Sequence, residues 1–472
     1  MNTAGRLTLA IAVIAVILSA VNSWLLFSQM TQIGELSDKV SDFSSMMVQM
    51  NPAYAAEIDW RQCEGEKVVV LVPKHMWTDT ILPLIPEFER LTGIDLEMAV
   101  YPEDLFYEKK LSGSEAGKPP FDAAFSCPGF DTYPSIKMGV LEPLDDYMND
   151  PTLTDKDWYD WEDFPERVRD VAHEGTENIY QVPLVVDNLG MLMYRKSILD
   201  KYGLKVPETY EELLSAARTI TDGEAPDMYG IVLRAWREFA WTGLRITLSS
   251  YIGPANPGRG IYFEPDWTPK FDSQAAIDGV KLYADLLQLG PPGQLSYTWY
   301  DAMDAFAAGR AAMIIDSNGF SYTFEDSSQS QVVGDVGYAV VPKSKYGHGT
   351  MLNFWCMVMM KGSEHKKATW LFLQWVTSKD VTLRQGFSPA RTSVLQDPAY
   401  VATLPYGLSD IMVESLKIAQ YADGVYCENN MKIFSEIGVA LHDIFGGKDP
   451  TTAMQELQRS AIDLLKEEGK LS

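Results

Sequence analysis

Residues 180–196 read YQVPLVVDNLGMLMYRK. Val182, Leu184, Val185 and Val186 make one apolar run, and Leu189, Met191, Leu192 and Met193 make a second. Together they read as buried strand. Asp187 and Asn188 interrupt the middle. A carboxylate beside an amide is costly to bury unless something hydrogen-bonds both. AAMIIDSNGF (311–320) repeats the pattern, an apolar strand followed by Asp316, Ser317 and Asn318.

Around these two stretches the chain alternates strand and helix. KVVVLVP (67–73), IDLEMAVYP (94–102) and FDAAFSCPGF (121–130) read as strands. ILPLIPEFERLTG (81–93) between the first two reads as a helix stopped by Gly93. YGIVLRAW (229–236), GYAVVP (337–342) and TMLNFWCMVMM (350–360) read as further strands. FAWTGLRITLSSYIG, residues 273–290, HKKATWLFLQWVTS (365–378) and the chain end after Asp449 read as helices. Such alternation implies an α/β fold with a mainly parallel sheet covered by helices. Ligands bind such sheets beyond the carboxyl ends of the strands. Those ends carry Trp77, Tyr101, Phe130 and Asp131, and the strand at 229–236 ends in Trp236.

Composition narrows the class. The chain has 472 residues, 46% of them hydrophobic, which is enough for two or more lobes. Its formal net charge of −26 repels phosphate backbones and excludes nucleic acid as a partner. The same charge suits a cationic ligand. Cys63, Cys127, Cys356 and Cys427 form no CxxC pair, so their spacing gives no zinc site. They allow three disulfide pairings or free buried thiols. No GxSxG, HExxH, Walker A or GxGxxG context demands catalysis, a metal or a cofactor.

Near the amino terminus, LTLAIAVIAVILSAVNSWLLF (7–27) is uncharged and long enough to span a bilayer. Arg6 precedes it and Glu35, Asp38 and Asp42 follow, which leaves the remainder outside the cytoplasm. The competing reading is a signal peptide with AYA (53–55) as its cleavage site, although AYA lies far beyond the apolar run. Helical spacing over residues 29–56 gives a stalk.

The order of elements resembles the extracytoplasmic solute-binding proteins of ABC importers, in the carbohydrate-binding branch that includes maltose-binding proteins. Five stretches carry the likeness: LPLIPEFERLTGIDLEM, DAAFSCPGF, YQVPLVVDNLGMLMYRKSILDKYGLKVPETYEELLSAA, DAFAAGRAAMIID, and GTMLNFWCMVMMKGSEHKKATWLFLQWVTS. IYFEPDWTPKFDS (261–273) further resembles members that bind sugars or sugar alcohols. The resemblance implies a two-lobed (type II) periplasmic-binding-protein fold with the ligand in a cleft between lobes joined by crossover strands. It implies lobe 1 from 57–187 with 355–400 and lobe 2 from 188–354 with 401–472.

The first crossover then falls on YQVPLVVDNLGMLMYRK, with Asp187 and Asn188 at the cleft floor. Matched residue by residue, the likeness puts Trp77, Asp131, Trp236, Asp316, Asn318, Phe354, Trp355 and Arg391 near the ligand. Family members often carry Trp where this chain has Phe320. Aromatic faces would stack on sugar C–H faces, and Asp, Asn and Arg would bind hydroxyls. The expected protein is a monomer, not an enzyme, that passes a carbohydrate or polyol to separate permease subunits and is tied to the membrane by its amino-terminal helix. Two alternatives remain: a binder of a cation such as a polyamine, and an anchored ligand sensor.

Overall fold

The computed structural model describes residues 56–115, 119–236, 240–256, 258–421 and 425–472. The expected membrane span at 7–27, the AYA site and the stalk up to residue 55 lie outside the described residues. Among the described residues, no helix is long and apolar enough to cross a membrane.

Among the described residues eight strands build one sheet: β1 Lys67–Pro73, β2 Asp95–Tyr101, β3 Ala123–Ser126, β4 Gln181–Arg195, β5 Met313–Ser317, β6 Val336–Val340, β7 Thr350–Met359 and β8 Ala419–Tyr421. The order is β2-β1-β3-β7-β4-β5, with β6 also on β4 and β8 on β7. The parallel ladders are β1–β2, β1–β3 and β7–β8. β3–β7, β4–β7, β4–β5 and β4–β6 are antiparallel. The expectation of a mainly parallel sheet is therefore corrected. β4 and β7 pass in opposite directions between the two halves, so every ladder that joins the halves is antiparallel.

The opening stretch is one continuous strand of 15 residues. Its first part pairs with β7, as Val182↔Met357 and Leu189↔Leu352 show. From Gly190 onward it pairs with β5 and β6. The ladder to β7 slips between Pro183 and Val185 and again between Val185 and Asn188. There the loop after residue 386 takes over, and Val186 N donates to Ser388 O at 2.9 Å. Gly190 is required where the halves meet. A Cβ at that position would come within 2.5 Å of Thr350 Oγ1 and 2.7 Å of Ile246.

Lobe 1 covers β1–β3 with helices. Ile85–Thr92 buries Ile85, Phe88 and Leu91 and ends at Gly93, whose φ of 70° suits a residue without Cβ. Phe88 meets Phe372 and Trp375 of helix Lys366–Val376 at 5.5 and 5.2 Å. Lobe 2 has its own core. Leu192, Tyr210, Ile220, Tyr283, Leu286 and Ile315 pack there with Phe434, Leu441, Leu457 and Leu465 from the last two helices. Helix Tyr210–Glu224 starts at a capping box made by Thr209 and Glu212.

Two elements differ from expectation. Residues 229–236 pair beside β5 only at isolated bridges, Tyr229↔Ala311 and Val232↔Ile314, so they form no regular strand. The helix expected over FAWTGLRITLSSYIG is limited to Ala240–Leu248. Cys63, Cys127, Cys356 and Cys427 are all buried free thiols.

Candidate ligand cleft

The carboxyl ends of β1, β3 and β5 and the segment 229–236 meet where β4 and β7 cross. β1 ends in Pro73, and His75 then caps helix Met76–Ile81 by accepting from Trp77 N at 3.2 Å. This turn points His75, not Trp77, into an aromatic cluster. The His75 ring lies 5.6 Å from Phe125, 6.2 Å from Trp299, 5.9 Å from Trp355 and 5.9 Å from Phe387. Trp77 is 1% exposed and packs against Phe125 at 5.3 Å. It is a core residue of lobe 1 in this arrangement. Tyr101 closes β2, half-buried, with its carbonyl accepting from Lys74 N.

β3 runs into Cys127-Pro128-Gly129-Phe130-Asp131. Buried Asp131 accepts from Lys110 Nζ at 2.6 Å, Ser126 Oγ at 3.0 Å and Cys127 N at 2.8 Å. Lys110 Nζ also donates to Phe125 O and Ser126 Oγ, so its three protons each have an acceptor. The pair shapes the loop, and the loop projects Phe130. Half-buried Phe130 stacks on Phe434 of lobe 2 at 5.9 Å and meets Tyr107 edge-on at 5.5 Å.

β5 ends in Asp316, which is fully buried. Arg234 grips it bidentately, Nε to Oδ2 at 2.8 Å and Nη2 to Oδ1. Asp316 Oδ1 also accepts from Ser317 N at 2.7 Å. Burial disfavours the guanidinium charge, but Asp316 more than offsets this, and Arg234 is held above its ordinary pKa. The guanidinium lies 5.8 Å from the Phe320 ring, and Phe320 stacks on Trp299 at 6.0 Å. Among the described residues nothing bonds Arg234 Nη1. Asp316 therefore orients an arginine that keeps a donor for something else.

Trp355 on β7 is 8% exposed, with its ring 5.1 Å from Phe125. Its Nε1 is buried without a hydrogen-bond partner among the described residues. Phe354 is fully buried, on the neighbouring position of a strand covered along its whole length. Half-buried Trp236 follows Arg234, and its N–H donates to Tyr297 O at 2.9 Å. Of Asp187 and Asn188 the backbone is described, and Asn188 sits opposite Asn353 of β7.

Two expected ligand residues are engaged elsewhere. Asn318 Oδ1 accepts from Leu189 N at 2.9 Å, and its Nδ2 donates to Ser388 Oγ at 3.1 Å. It stitches β4 to the loop after residue 386. Arg391 donates to the carbonyls of Thr377, Asp160 and Tyr159 and approaches Asp163 Oδ2 at 3.4 Å. Phe164 and Tyr159 flank its guanidinium at 4.2 and 5.2 Å, and burial pulls its pKa down. This arginine braces lobe 1 and touches none of the cleft groups above.

His75, Arg234 and Trp299 were not among the expected residues. Arg234 could have been found from YGIVLRAW, where it lies two residues before the singled-out Trp236. Trp299 opens helix Trp299–Ala307 behind a Thr298–Asp301 capping box, a signal that fixes its position but not its exposure.

The sequence profile of the bacterial extracellular solute-binding proteins matches residues 77–382. The chain belongs to this family. An erythritol/L-threitol-binding protein of Mycolicibacterium smegmatis is 24% identical over 423 residues, covering 85% of this chain and 86% of that one. A probable amino-acid ABC transporter periplasmic-binding protein of Sinorhizobium fredii is 22% identical over 417 residues, covering 86% and 91%. The crystal structure of a solute-binding protein from Agrobacterium radiobacter in complex with ribitol superposes with a TM-score of 0.75 at 21% identity, covering 85% of this chain and 99% of that one. The fold is thus the two-lobed one of solute-binding proteins, with β4 and β7 as crossover strands.

Proposed function

We propose that this protein captures a sugar alcohol or sugar in the cleft between its lobes and delivers it to the permease of an ABC importer. One observation carries the reading. Arg234, aimed by Asp316 and with Nη1 unbonded among the described residues, faces the Phe320 ring that stacks on Trp299, while Trp355 Nε1, also unpartnered among the described residues, adds a second buried donor. Two buried donors framed by aromatic faces suit neighbouring hydroxyls on a carbon chain that presents C–H to the rings. The erythritol/L-threitol-binding relative and the ribitol-bound neighbour support a polyol.

In this reading the ligand is bound and released without turnover, as the solute-binding family suggests. The protein acts outside the cytoplasm as a monomer, held at the membrane by residues 7–27, and the permease subunits are separate chains. Asp187, Asn188, Phe130 and Trp236 complete the contacts.

A thermal-shift screen of residues 57–472 tests this, since Ile58–Ser472 forms one compact unit. The panel holds sugar alcohols, mono- and oligosaccharides, amino acids and polyamines. A ligand at 100 times its Kd raises stability by about 2.7 kcal/mol. A polyol or sugar hit that barely changes with salt supports the reading. A hit only among polyamines, weakening steeply with salt, overturns it.

A further inference from the structure

Two hydrogen bonds join the lobes away from the donors assigned to the ligand. Trp299 Nε1 donates to Glu103 Oε2 at 2.7 Å. Tyr300 OH donates to the Lys74 carbonyl at 2.6 Å. Lys74 and Glu103 follow β1 and β2 in lobe 1. Trp299 and Tyr300 are consecutive residues at the start of helix Trp299–Ala307 in lobe 2. Thr323 Oγ1, also in lobe 2, lies 3.6 Å from Met76 Sδ.

The geometry is built rather than incidental. The Thr298–Asp301 capping box fixes the helix start, so Trp299 and Tyr300 leave it in set directions. Lys74 is held by its N–H bond to Tyr101 O at 2.6 Å, which aims the Lys74 carbonyl. Glu103 opens helix Glu103–Glu115, where the helix end favours a carboxylate. Charged and neutral acceptors from one lobe thus meet two aromatic donors from the other.

We propose that Glu103, the Lys74 carbonyl, Trp299 and Tyr300 form a clasp that sets ligand affinity through the population of the closed cleft. This rests on the solute-binding reading. Glu103 and Tyr300 are positioning residues: they act by keeping the lobes together, and of the clasp only the Trp299 ring meets the ligand. Apparent affinity scales with the fraction of molecules already competent to bind. Loss of a bond to a charged acceptor then costs all ligands the same factor, about tenfold.

The test reads ligand-free conformation and affinity separately. Spin labels at Glu108→Cys and Gln288→Cys, both exposed and one in each lobe, report the inter-lobe distance in the full chain; the four native thiols are buried. Without ligand, Tyr300→Phe and Glu103→Ala should shift the distribution to longer distances. Glu103→Gln, which keeps an acceptor for the indole N–H, should stay near wild type. Where a panel ligand binds, Kd should rise about tenfold in Glu103→Ala and about threefold in Tyr300→Phe, whose acceptor is a neutral carbonyl, with the order of ligands unchanged. Identical ligand-free distributions in all variants would overturn the clasp. So would a changed order of ligands, which would mean that these side chains contact the ligand. If no panel compound binds the wild type, the solute reading fails, while the ligand-free distances still judge the clasp.

Discussion

Arg234 and Arg391 are both buried, and they do opposite work. Arg391 is ringed by backbone carbonyls of residues 159, 160 and 377 and clamped between Phe164 and Tyr159. Arg234 faces one carboxylate on one side and the Phe320 ring on the other, with Nη1 unbonded among the described residues. A guanidinium saturated by carbonyls holds segments of one lobe together. One fixed from behind by a carboxylate is preorganised for an incoming acceptor. The resemblance named Arg391 among several candidates, and the packing favours Arg234. Neither the residue type nor its neighbours in sequence separates these roles.

Four changes test the contrast, from the largest effect to the smallest. Arg391→Met should lower unfolding free energy in urea by about 3–5 kcal/mol, because it strands buried carbonyls and Asp163. Ligand affinity of the folded fraction should stay within twofold of wild type, roughly the scatter expected when a distant site is untouched. Arg234→Met should do the reverse to binding, with affinity falling about a hundredfold. Asp316 should then be replaceable as well: Arg234→Met with Asp316→Leu should be more stable than Arg234→Met alone, since the latter leaves a buried carboxylate unpaired. Trp355→Phe should leave ligand-free stability unchanged or slightly raised, because its indole N–H has no partner, and should weaken binding about tenfold by titration calorimetry.

The smallest effect concerns the thiols. Burial, and then Glu66, pushes the Cys63 thiol from 9.0 up to about 11. The folded state therefore holds this proton more tightly than the unfolded chain. The stability it represents is complete below about pH 9 and declines as pH rises through 11. Iodoacetamide at pH 8 should leave Cys63 unmodified in the native protein and label it only after unfolding.

Local elements were largely legible in the sequence. The valine run of β1 and the Gly93 stop act locally, and each element formed near its expected place. Sheet direction was not legible, because it follows from β4 and β7 crossing between lobes, which no local pattern records. The proposed site draws on the expected strand ends but on partly different side chains. The end of β1 was singled out, and there the turn that makes His75 a cap sends Trp77 into the core. Likewise Asp316 was named, but the partner that makes it useful comes from a segment 82 residues earlier. Asn318 reads as a ligand group in sequence and is occupied by backbone across the crossover.

The most direct measurement is a calorimetric titration of wild type and Arg234→Met with the polyol that gives the largest thermal shift. The account predicts saturable binding to wild type and a loss of about a hundredfold in the variant, with both proteins folded. Binding of that polyol to Arg234→Met at wild-type affinity would contradict it.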